Sequence, residues 1–69
     1  MNKKQVDKQF LEDVMPYIRM KEKEYRVGRF TKDIPMRCQD YNDFIDMLNR
    51  DGLLTDYQAN TYCIPNYLI

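Results

Sequence analysis

Sixty-nine residues carry eleven basic and eleven acidic side chains, with no histidine and no tryptophan. A chain this short buries only about 60% of the surface it exposes when unfolded, which predicts one small domain over residues 1–69 with little room for a reaction cleft. The missing imidazole removes the usual general base near neutral pH and the commonest metal ligand, so no enzyme, no metal and no cofactor are expected.

The N-terminal stretch MNKKQVDKQF has lysines but no apolar run after them, and no segment approaches the ~20 apolar residues of a membrane span. The expectation is a cytoplasmic chain without a membrane partner. Cys38 and Cys63 are then reduced thiols, and neither stands at C-x-x-C spacing. Val6, Phe10, Val14 and Tyr17/Ile18 form one stripe of an amphipathic helix, which Leu11 and Met15 widen. Pro16 deletes one backbone hydrogen bond inside this pattern. The apolar stripe continues past it, so the sequence predicts one long bent helix reaching about Glu24, with a break near Met15 as the alternative.

Residues 25 to 37, YRVGRFTKDIPMR, lose the helical period. Gly28 interrupts them and Pro35 closes them, which predicts an extended basic segment or a short strand. Beyond it the pattern sharpens. Asp40 reads as an N-cap with Asp43 at N3, and Tyr41, Phe44, Ile45 and Leu48 make an apolar face. Gly52 suits a left-handed helix stop. Thr55 and Gln58 form a capping-box pair for a second helix limited by Pro65. The fold expected is mainly α: a bent N-terminal helix, a basic segment, then a capped helix-turn-helix pair. The apolar end NYLI is expected to pack on the body or on a partner.

Charge is unevenly placed. Residues 1–37 hold ten of the eleven basic side chains and six of the eleven acidic ones, whereas residues 38–69 hold Arg50 against five aspartates. Such asymmetry bears on association rather than fold. Asn49-x-Asp51-Gly52 resembles the middle of a calcium loop, but Met47 and Gln58 stand where that loop needs a carboxylate and a bidentate glutamate. Asp-Gly is therefore read as a helix stop. The aspartates Asp40, Asp43, Asp46, Asp51 and Asp56 are too few for a phosphate mimic, and three of them have capping or turning roles.

Two features point to binding. Arg19 to Arg37 interleave seven basic residues with Tyr25 and Phe30, a composition suited to phosphates and bases or to an acidic protein patch. Six tyrosines, five methionines and three phenylalanines exceed what so small a core encloses, and tyrosine and methionine suit interfaces. The residues expected to touch a partner are Arg26, Arg29, Phe30, Lys32, Tyr57, Tyr62 and Tyr67. A DNA-reading role for the second helix would use Gln58, Asn60 and Thr61, against the repulsion of Asp51 and Asp56.

Tyr41 and Phe44, Asp51-Gly52, Thr55 and Gln58-Ala59 follow one another in YNDFIDMLNRDGLLTDYQAN. This stretch resembles a pattern in small accessory proteins of T-even-type bacteriophages. The resemblance covers residues 41–60 and implies a protein that binds and redirects or inhibits host machinery in the host cytosol. The function expected is a non-enzymatic module that docks on a host or viral protein. Nucleic-acid binding through residues 19–37 or the helix pair is the alternative, and a second copy of the chain is a further partner left open.

Overall fold

The computed structural model describes residues 1–25 and 33–69, and all their regular structure is helical. Four α-helices follow in order: α1 (Lys3–Asp13), α2 (Met15–Tyr25), α3 (Ile34–Arg50) and α4 (Asp56–Thr61). A single turn of 3-10 helix, Asn66–Leu68, ends the chain.

Each helix starts where the chain can satisfy its first free N–H groups. Asn2 caps α1: its side chain accepts from the Gln5 N–H while the Gln5 side chain accepts from the Asn2 N–H, closing a capping box. Where one long bent helix was expected, with a break near Met15 as the alternative, the segment divides at Val14 into α1 and α2. Val14 keeps helical dihedrals and donates to the Phe10 carbonyl, and Ile18 donates to the Val14 carbonyl. Pro16, one residue into α2, has no N–H to return to Glu12, so the helix divides at the point where that bond is lost.

The start of α3 corrects the sequence reading. Asp33, not Asp40, is the cap: its carboxylate accepts from the Met36 N–H, and Pro35 sits in the first turn, where a missing N–H costs nothing. Pro35 opens the helix it was expected to precede, and Asp40 lies within it. The part of the expected basic segment or strand at 26–32 lies outside the described residues. Of its flanks, Tyr25 belongs to α2 and Ile34 to Arg37 belong to α3.

The turn between α3 and α4 follows the sequence expectation. Gly52 has φ 79°, its N–H donates to the Asn49 carbonyl, and Leu53 N–H reaches back to the Leu48 carbonyl, a Schellman motif. Thr55 then caps α4 with Gln58 in a second capping box.

The core gathers Val6 and Phe10 from α1, Met15 and Ile18 from α2, and Tyr41, Phe44, Ile45 and Leu48 from α3. Leu54 from the turn and Leu68 from the last turn close it. Phe10 is its centre. The ring meets Tyr41 edge-on at 5.1 Å and Phe44 at 5.7 Å, the geometry that aromatic quadrupoles favour. Leu68 is 1% exposed, so the apolar C-terminus packs on the body.

Among the described residues, two charged side chains enter this interior, and both are partnered, because an unpaired buried charge is expensive. Asp7 accepts from the Tyr41 hydroxyl at 2.6 Å and from Lys3 Nζ at 2.7 Å. Arg37 forks onto Glu22, Nε to Oε2 at 2.9 Å and Nη2 to Oε1 at 2.8 Å, and its Nη1 donates to the Leu68 carbonyl at 3.0 Å. Glu22 Oε2 also accepts from the Asp33 N–H. One ion pair thus joins α2, the start of α3 and the C-terminal turn. The N-terminus is tied in as well: the Met1 ammonium donates to the Leu53 carbonyl at 2.7 Å, and Gln58 Nε2 donates to the Met1 carbonyl.

Candidate functional site

Of the residues expected to meet a partner, Arg26, Arg29, Phe30 and Lys32 lie outside the described residues. The three tyrosines do not share one environment. Tyr57 on α4 is 77% exposed and Tyr67 on the last turn is 67% exposed. Tyr62 is half-buried: it packs against the core, and its hydroxyl accepts from Gln58 Nε2 at 3.2 Å. Tyr62 is thus the least exposed of the three.

Tyr57 and Tyr67 stand on short but fixed supports. The Thr55 box holds the first turn of α4, and Asn49 Nδ2 bridges the Leu54 carbonyl and the Asp56 carboxylate across the turn. Tyr67 sits between Asn66 and buried Leu68, whose carbonyl Arg37 grips and whose N–H donates to the Pro65 carbonyl. The backbone under each ring is therefore set before any partner arrives. With the backbone already ordered, contact costs only the rotamer freedom of two tyrosine side chains.

Sequence reasoning missed other exposed apolar positions. Tyr17 and Met20 share a face of α2, where Lys21 Nζ lies 4.5 Å from the Tyr17 ring centroid, and Leu53 projects from the turn. Of these, Tyr17 falls on the expected core stripe, because periodicity marks a face without measuring how much of it is covered. Tyr17 is one residue before buried Ile18, and the signal that could have separated them is the offset of one position from the Val6–Phe10–Val14 register.

Among the described residues, the surface includes two hollows. One of about 450 Å³ is lined by Asn2, Lys4, Gln5, Lys8 and Leu11 of the N-terminal helix and its cap, with Tyr67 on the far wall. The other, about 330 Å³, lies along α3 between Asp43, Asp46, Asn49 and Arg50 and is polar. Among the described residues no group of three or more histidine, cysteine or acidic side chains could hold a metal ion. The two cysteines are free thiols, Cys63 exposed and Cys38 half-buried.

Among the described residues, three acidities are displaced from their ordinary values. The Arg37 hydrogen bond holds the Glu22 carboxyl below the usual carboxylate range, against the opposing effect of burial. Burial pushes the Asp40 carboxyl up, partly offset by Lys21. Burial, then the hydrogen bond to Asp7, pushes the Tyr41 phenol far above its ordinary value. Two of these are structural contacts, and none of the three groups lines either hollow.

Of the groups that a groove-reading helix would need, Asn60 is exposed, whereas Gln58 and Thr61 are engaged within the fold. Gln58 completes the capping box and donates to Met1 and Tyr62, and the Thr61 hydroxyl donates to the Tyr57 carbonyl of its own helix. No described helix is long and apolar enough to cross a membrane. No protein-family model, curated protein or solved structure gives a significant match to the chain.

Proposed function

We propose that this protein is a small binding module that docks on another protein through tyrosine anchors. In the role that the resemblance of residues 41–60 implies, it is a phage-type accessory protein that modulates or inhibits a host protein or a defence complex. The observation that carries the reading is the exposure of Tyr57 and Tyr67 on backbone held by caps and buried neighbours. A tyrosine left two-thirds or more exposed contributes nothing to the core, yet it suits an interface because it offers area at low entropic cost and keeps a polar tip.

The test is capture from an extract of the host bacterium on immobilised protein, wild type beside the Tyr57→Ala/Tyr67→Ala variant. Both should have the same helicity, because neither ring is part of the core. A single partner is expected on the wild type, with affinity for the purified partner reduced about tenfold or more in the variant, since each interface anchor is worth over ~1 kcal/mol. A partner held equally by both proteins would remove the tyrosines from the contact, and the absence of any partner would defeat the reading.

A further inference from the structure

The hollow beside Tyr67 carries more than a place to bind, and its chemistry limits what can bind there. Lys4, Lys8 and Leu11 occupy positions i, i+4 and i+7, so α1 presents them as one row. Lys4 and Lys8 are exposed, and the described ion pairs, Lys3–Asp7 and Arg37–Glu22, involve neither. The nearest acidic neighbour in sequence, Asp7, is 6% exposed and already bound by Lys3 and Tyr41. Glu12, at i+4 from Lys8, is exposed, but it forms no described ion pair with Lys8 and does not line the hollow, so the lining carries two ammonium groups and no carboxylate. Beneath the ammonium groups the surface is apolar: Leu11 packs partly on the core, the lysine stems cover the helix, and the Tyr67 ring closes the far side. Both walls are fixed, one by the Asn2–Gln5 capping box and the other by buried Leu68 and the Arg37 bond to its carbonyl.

Resting on the binding-module reading, we propose that this groove receives an acidic segment of the partner protein. An apolar side chain of the segment lies between Leu11 and Tyr67, and its carboxylates meet Lys4 and Lys8. An apolar floor under two unpaired cations favours glutamate or aspartate interspersed with leucine or phenylalanine. A nucleic acid would bring phosphates but nothing to fill the floor except a stacked base on one ring.

The probe is a fluorescein-labelled peptide of glutamate pairs alternating with leucine and phenylalanine, followed by anisotropy at low salt. Its controls are the same peptide with glutamine for glutamate, a labelled oligothymidylate, and sedimentation of the protein alone. The acidic peptide should bind, weaken as salt is raised, and lose about tenfold in affinity to Lys4→Glu/Lys8→Glu and again to Tyr67→Ala. Circular dichroism should stay unchanged, because these side chains are exposed. Four results would overturn the inference: no binding at low salt, equal binding of the glutamine peptide, equal binding of the oligothymidylate, or self-association that the lysine reversal abolishes. Retention of the captured host partner by Lys4→Glu/Lys8→Glu, with loss in the tyrosine variant, would reject this groove while leaving the binding function standing.

Discussion

Arg37→Met tests how much of this small fold depends on one ion pair. Methionine keeps the apolar stem but removes the guanidinium. Two charge-assisted bonds to Glu22 and one to the Leu68 carbonyl disappear together. The Arg37 and Glu22 side chains are 8% and 10% exposed, so water neither screens the pair well nor replaces the lost donor freely. Glu22 is left with the Asp33 N–H alone among the partners described. Breaking such a pair by removing one member typically costs about 3–5 kcal/mol, most of it the uncompensated charge. For 69 residues the whole stability is roughly 3.5–10 kcal/mol, so the variant should lose about three-tenths of it or more. Urea unfolding followed by far-UV circular dichroism measures the difference. Glu22→Gln/Arg37→Met should then cost less than the two single changes added, by about 2 kcal/mol, because no orphaned charge remains. A loss below about 1 kcal/mol for Arg37→Met, or strict additivity in the cycle, would refute the account of a desolvated clamp.

Acid should weaken the fold through the same pair. Glu22 binds its proton less tightly when folded, so its stabilisation is present above the unfolded value near ~4.3 and is lost as pH falls below it; Glu22→Gln should flatten that part of the urea-midpoint profile. Asp40 has the opposite sign, since burial raises its folded value, and Asp40→Asn should raise the urea midpoint at neutral pH. Gly52→Ala should cost about 1–2 kcal/mol from the left-handed φ alone, because nothing lies within 4 Å of the added methyl; a Gly52→Asn variant should recover part of that loss in the same titration. Phe10→Ala should cost about 3–5 kcal/mol by emptying the centre of the core, and its thermal transition should broaden or vanish, whereas a well-formed transition near the wild-type temperature would contradict the packing described.

The second half of the chain was the more legible, for a local reason. A glycine stop, a capping box and an apolar i, i+3, i+4, i+7 row are decided within one or two turns, so Tyr41 to Gln58 could be read without knowing what packs on them. The start of α3 was misread because Asp33 and Asp40 are both competent caps. Nothing local reveals that Asp33 is placed by its own N–H bond to Glu22, eleven residues earlier in another helix. The partial burial of Tyr62 was hidden for a similar reason, since nothing in its composition shows that Gln58 and the core contact it.

By itself the sequence determined the class of fold, the second turn, the apolar faces and the surplus of tyrosine over what a small core can hide. Only the tertiary structure decided which tyrosines stay outside, that Lys4 and Lys8 flank a groove closed by Tyr67, and that Arg37 belongs to the interior rather than to a basic surface. The division follows from range: caps and periodicity are interactions between near neighbours in the chain. Burial and charge pairing here join residues 15 to 34 positions apart, and no local pattern encodes them.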